Sequence, residues 1–159
     1  MIAVCDASPL IALSSVDKLY ILQQLFDYVI IPFAVREEVF SSAKSQIPLP
    51  DFIVVKPLVS EASARFLKMN LHAGESEAIA LALELGVERI ILDDKQAREV
   101  ADRLGLKVIG TLGLLILAKQ KGLLVEIRPI IKQLIERIHF RIAPAVTNRA
   151  LVQVGEPPL

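Results

Sequence analysis

The reading that decides the fold lies in residues 89–111, RIILDDKQAREVADRLGLKVIGT. Arg89 to Leu92 is a short, mostly apolar run of strand-forming residues, closed by Asp93 and Asp94. Lys95 to Leu104 follows as a predicted helix ended by Gly105. Lys107 to Ile109 is the next strand, and Gly110 and Thr111 open a further helix, Leu112 to Lys121. Strand, helix and strand at this spacing imply a right-handed crossover and two parallel strands. The doubled aspartate and the Gly-Thr turn therefore fall on the same edge of the sheet.

Working outward, the same alternation continues. Glu75 to Leu85 is an alanine- and leucine-rich helix ended by Gly86, preceded by a connector carrying His72. A helix capped by Ser60 runs through Met69, and Ile53 to Val55 reads as a strand. Lys44 to Asp51, with Pro48 and Pro50, is a loop and the best candidate for a mobile flap. Tyr28 to Ile31 is a strand stopped by Pro32, which admits a helix through about Ser42. Asp17 is expected to cap a helix over Lys18 to Phe26. The chain opens with a strand, Ile2 to Cys5, ended by Asp6, and Ser8-Pro9 reads as the cap and first residue of a helix. Beyond Lys121, a helix from Pro129 to His139 and a short one after Pro144 complete the order. The expected architecture is α/β, with a parallel sheet of about five strands covered on both faces.

Composition agrees with that architecture. The chain is 53% hydrophobic, above the usual 45 to 50% or so, and the excess is aliphatic, with six Phe, two Tyr and no Trp. Its 159 residues fit one domain, 1–159, with a sizeable core. The longest apolar stretch, Val108 to Ala118, is too short for a membrane span and contains Gly110, Thr111 and Gly113. Asp6 interrupts the first apolar run, so nothing there resembles an export signal, and a cytosolic location is expected. Cys5 stands alone, without metal-ligand spacing, and reads as a small buried hydrophobe.

Eighteen basic and 18 acidic residues balance, so no global positive field advertises a polyanion partner. Locally, Arg128, Lys132, Arg137, His139, Arg141 and Arg149 face the single acid Glu136. That run reads as a solvated helix face or as a basic rim holding a nucleic-acid backbone.

Five carboxylates carry the chemistry. Asp6, Asp93 and Asp94 end strands, while Glu38 and Glu77 ride on helices, and in a parallel sheet such acids can meet in the crevice at the strands' carboxyl ends. Like charges gathered there need a cation, and oxygen-only ligands suit Mg²⁺ or Mn²⁺, the ions of phosphoryl transfer. A turn-initiating Asp accepting the Ser8 amide is the bland account of Asp6. One aspartate of the pair 93–94 is explained as a helix cap, and the other is left without a structural duty. Helical phase favours Glu38, bordering the stripe of Val35 and Val39, over Glu37. It also favours Glu77, beside Ala78, Leu81 and Leu85, over Glu75, which lies about 200° away at roughly 100° per residue. First-turn placement alone would equally explain both glutamates. Ser8, Thr111 and Arg98 are candidate phosphate contacts that double as caps or surface pairs.

DASPLIAL at 6–13, GESEAIALA at 74–82 and IILDDKQAR at 90–98, followed by Gly110-Thr111, together resemble a PIN domain. More narrowly, they resemble a prokaryotic branch of predicted nucleic-acid-binding PIN proteins related to the toxins of toxin–antitoxin pairs. The resemblance spans essentially the whole chain in order. It implies a three-layer α/β/α sandwich whose acids bind Mg²⁺ or Mn²⁺ and cut single-stranded or structured RNA. By position, Asp6, Glu38, Glu77 and Asp94 match the family's catalytic acids, with Asp93 as an additional metal ligand. Glu77 stands where toxin relatives often have Asp. The implied partners are RNA, a second copy of the chain and a small antitoxin. A non-catalytic module binding RNA or a protein through the same crevice is the competing reading. A haloacid-dehalogenase-like phosphatase would need an acid where Ser8 stands, and a phosphoacceptor receiver domain would need the acidic pair near the start.

Overall fold

The opening apolar run forms strand β1 (Ile2–Cys5), the central strand of the computed structural model, which describes residues 1–40 and 47–159. Strands β2 (Tyr28–Ile31), β3 (Ile53–Val55), β4 (Arg89–Ile91) and β5 (Lys107–Ile109) complete a sheet ordered β3-β2-β1-β4-β5. Every pairing is parallel, with Val4 opposite both Ile30 and Ile90. Nine helices are present among the described residues: α1 (Ala7–Ser15), α2 (Tyr20–Leu25), α3 (Phe33–Val39), α4 (Ala62–Leu67), α5 (Ala73–Leu85), α6 (Lys95–Arg103), α7 (Thr111–Gln120), α8 (Arg128–Ile138) and α9 (Pro144–Gln153).

Strand side chains alternate between faces, so strands apolar throughout need cover on both sides. Ala3, Cys5, Val29, Ile31 and Ile91 enter one core with Leu10 and Leu13 of α1, Leu114 and Leu115 of α7, and Leu134 of α8. Val4, Ile30, Ile90 and Leu92 enter a second core with Ile79 and Leu81 of α5 and Ala97 and Ala101 of α6. Helices, sheet and helices thus form three layers. Among the described residues no helix is long and apolar enough to cross a membrane.

Several local expectations are corrected. Helix α1 starts at Ala7 with Asp6 in the capping position, two residues before Ser8, so Pro9 falls within the first turn, where amides have no intrahelical partner to lose. Asp17 does not cap α2; it takes a left-handed conformation, φ 54°, in the turn that ends α1, and α2 begins at Tyr20. Helix α4 (Ala62–Leu67) has Glu61 rather than Ser60 in the capping position, and α5 begins at Ala73 rather than Glu75. Helix α3 ends at Val39. The predicted continuation to Ser42 and the 44–46 part of the predicted flap lie outside the described residues.

One tertiary tie went unread in the sequence. After α9 the chain turns at Gly155, φ 75°, and delivers Glu156 to the start of α8. Its buried carboxylate accepts the Ile127 and Arg128 amides at 2.7 and 2.8 Å and the Lys119 ammonium at 2.5 Å. A distant residue thereby does the work of a helix cap. Burial alone would raise this carboxyl; Lys119 and the two amides outweigh it and hold it below the ordinary glutamate range.

Glu156→Ala leaves those amides and the ammonium unpaired, and should cost about 2–4 kcal/mol in urea unfolding at pH 7. Because the folded-state pKa is the lower one, this contribution is present above the ordinary glutamate value of 4.5 and disappears on acidification below it.

Candidate active site

Strand β1 has β2 and β3 on one side and β4 and β5 on the other, so the chain reverses its winding there and a crevice opens at the strands' carboxyl ends. Asp6 follows β1 directly. Its amide donates to the Ile91 carbonyl at 3.1 Å, carrying the β1–β4 ladder one step further and fixing its backbone at the crevice floor, where Asp6 is only 4% exposed. The Leu92 amide donates to Ile109 in the same way, which brings Asp93 and Asp94 alongside Gly110.

Helices α3 and α5 supply the remaining acids. A Cβ on Gly74, in the first turn of α5, would stand 3.0 Å from Asp6 Oδ1 and 3.5 Å from Glu38 Oε2. Gly74 thus lets the two carboxylates close around a bare backbone. Glu37 turns away to pair with Arg36 at 3.4 Å, whereas Glu38 reaches the crevice. Glu75, 8% exposed, accepts the His72 amide at 3.2 Å.

These groups repel one another. Asp6 is pushed up to about 7, by burial first and then by Glu75, Glu38 and Asp93, against the pull of the Ala7 amide. Glu75 is also raised, by burial first, with Asp94 and Glu38 adding to it and the His72 amide and imidazole opposing. The carboxylates that sense each other are therefore Asp6, Glu38, Glu75 and Asp94, with Asp93 adjoining.

The structure sets Glu75, rather than Glu77, among the acids that act on Asp6. Glu77 is half-buried, and it is not among the charges acting on Asp6 or Glu75. Phase misled because it assumed one apolar stripe through Ala78, Leu81 and Leu85. Helix α5 is instead wedged among the sheet, α3, α4 and α6; Gly74 to Ser76 and Ala78 to Ala82 are all buried, while Leu85 is exposed. On a helix covered nearly all round, the one side chain left out of that buried run is Glu77. The usable signal was Gly74, a residue with no side chain set directly before Glu75.

Both aspartates of the pair have structural duties. Asp94 Oδ1 caps α6 by accepting the Ala97 amide at 2.9 Å. Asp93, expected as a ligand, accepts the Thr111 amide on one oxygen at 2.7 Å and the Thr111 hydroxyl on the other at 2.6 Å, tying β4 to the start of α7. Burial raises its pKa, while Thr111 and Arg98 oppose the rise. A Cβ on Gly110 would stand 2.9 Å from Asp93 Oδ1 and 2.6 Å from the Arg98 guanidinium, so Arg98 lies over that turn. Cys5 donates its thiol to the Asp6 carbonyl at 3.2 Å, and burial followed by Asp6 and Asp93 raises its pKa, in keeping with an inert hydrophobe.

The donor set is all oxygen and short of positive charge, which fits Mg²⁺ or Mn²⁺ in chemical kind. In position the fit is looser: among the described residues no three Asp, Glu, His or Cys side chains stand ready to hold one ion. Glu38 and Asp94 are exposed and have room to rotate.

Among protein families, a model described as a PIN domain matches residues 2–156. No curated protein and no solved structure matches the chain.

The crowding gives a sign to the pH dependence of stability. Asp6 has the higher pKa when folded, so its contribution is fully present below its ordinary value of 3.8 and is lost as pH rises through about 7. The loss is on the order of 4 kcal/mol for a shift of this size, and Glu75 and Asp93 act in the same direction. In chelator, thermal midpoints should climb as pH is lowered from about 8 towards 5, and Asp6→Asn should flatten that slope. A flat wild-type profile would contradict the crowding.

Proposed function

The chain belongs to the PIN-domain family, a nuclease-like fold, and from that premise we propose that it is a metal-dependent endoribonuclease hydrolysing RNA phosphodiester bonds. The observation that carries the reading is the group of Asp6, Glu38, Glu75 and Asp94 at the carboxyl edge, where burial first and then the neighbouring carboxylates push Asp6 up to about 7. Such a group is unfavourable for packing alone, and a cation would relieve it.

Asp6, Glu75 and Asp94 are the proposed metal-holding residues. Asp6 is held rigidly by the β1–β4 ladder, and Glu75 by the His72 amide. Bound there, Mg²⁺ or Mn²⁺ would supply Lewis acidity towards the phosphate and lower the pKa of an attacking water. Glu38, exposed on α3 and close to Asp6, is placed to orient that water and take its proton. Asp93 acts indirectly, by holding Thr111 and the turn against which Arg98 lies, and Arg98 is placed to meet a phosphate oxygen. In this reading RNA is the substrate and the cytosol the compartment. The wider roles the family implies, a homodimer and the toxin partner of a small antitoxin that blocks the crevice, belong to the same proposal.

The looseness of the acids supports a second reading, an inactive module that binds RNA or a protein through this crevice. Cleavage and metal binding separate the two. Asp6→Asn and Glu75→Gln should each lower Mg²⁺- or Mn²⁺-dependent RNA cleavage by more than about 100-fold, beyond the effect of an outer partner. Both should also lose the rise in melting temperature that Mn²⁺ gives the wild type at pH 8 or so. Glu77→Gln should keep both properties. Loss in Glu77→Gln and retention in Glu75→Gln would restore Glu77 to the site. A wild type that neither cleaves nor responds to Mn²⁺, yet binds RNA, is the inactive module.

A further inference from the structure

Beside the acids lies a cleft of about 440 Å³ between α6, the start of α7 and the segment joining α8 to α9. Its size is that of a small-ligand site. Asp93, which adjoins the acidic centre, lies on its wall, so the cleft borders the crevice. Three cations line it, Lys95, Arg98 and Arg141, against the acids Asp93 and Glu99. The floor is apolar: Phe140 is half-buried and packs on the core beneath, with Leu112 and Val146 beside it. A second cleft shares Arg98, Leu112 and Val146 and extends the groove to Arg149.

The basic run from Arg128 to Arg149 divides along this boundary. Arg128 is bound to the Pro158 carbonyl and Arg137 to the Ser15 carbonyl, so both serve the fold. Lys95, Arg141 and Arg149 make no hydrogen bond or ion pair among the described residues and remain available to a ligand. The chain reaches this cleft because His139 ends α8 in a left-handed turn, φ 51°, leaving residues 140–143 outside either helix.

We propose that this cleft binds one unstacked nucleotide of single-stranded RNA beside the scissile bond, with its base on Phe140 and the backbone phosphates along Lys95, Arg98, Arg141 and Arg149. The inference rests on the nuclease reading for its substrate class. An aromatic floor ringed by unpaired cations is the combination that single-stranded nucleic acid needs, since every base has a face to stack and every link a charge to neutralise. An acidic protein segment would use the cations but gain nothing specific from the ring. A duplex keeps its bases stacked and offers none to the cleft.

The test is direct binding in chelator, where no cleavage occurs, using a fluorescein-labelled single-stranded RNA of about 12 nucleotides. Phe140→Leu should weaken binding about 5- to 150-fold. Arg141→Gln should reduce the slope of log affinity against log salt by about 0.7. The chain has no Trp, so Phe140→Trp provides a unique reporter that should keep affinity and be quenched by the RNA. If Phe140→Leu does not fold, the quench and the salt slope decide. Unchanged affinity in the variants, no quench, equal binding of duplex RNA, or equal competition by polyglutamate would each overturn the proposal, the last in favour of an acidic protein partner. Failure of the nuclease reading is distinguishable: a wild type without cleavage sinks that reading while these binding results still stand or fall by themselves.

Discussion

The constraint on which the rest depends is the burial of a carboxylate at the end of the central strand, among neighbours of like charge. Strand β1 is buried on both faces, so whatever follows Cys5 begins life at the floor of a crevice rather than in open solvent. Placing Asp6 there, within reach of Glu38 and Glu75, costs stability at neutral pH that packing does not return.

Two features of the fold offset that cost. The cores on either face of the sheet hold β1, β2 and β4 by close packing of aliphatic side chains, independent of charge. Helices α6 and α7 also point their amino-terminal ends at the crevice, where the peptide dipoles favour negative charge, and Asp94 and Asp93 satisfy the first amides of each. The doubled aspartate is therefore a structural device as much as a chemical one. Two strands end side by side, two helices begin there, and each start is capped by a carboxylate from the same dipeptide. Asp94 retains one oxygen outside its cap, while Asp93 has both occupied.

Away from the crevice, the same principle recurs with the opposite sign. Glu156 is equally buried, yet an ammonium and two helix amides make its charge favourable, so it fastens the end of the chain to α8. The buried carboxylates of this protein thus divide by whether the fold itself supplies their counter-charge: Glu156 is served from within by an ammonium, whereas Asp6 has only like charges and one amide around it.

Local chemistry was enough to read the sheet. Apolar runs closed by Asp6, Asp93 and the Gly110 turn, separated by helices such as those that end at Gly86 and Gly105, specify parallel strands with acids on one edge, because strand polarity and crossover hand leave little freedom. The same local reading placed Glu38 rather than Glu37 at the crevice, since α3 has one buried side. It did not separate Glu75 from Glu77 because α5 packs against the sheet, α3, α4 and α6, so from Gly74 to Ala82 it is buried nearly all round and has little phase to read from its sequence. Asp93 and Glu156 were beyond it for a related reason. Their partners, Thr111 and the Ile127–Arg128 amides, are distant in the chain, and a carboxylate's role follows from which donors the tertiary packing brings to it.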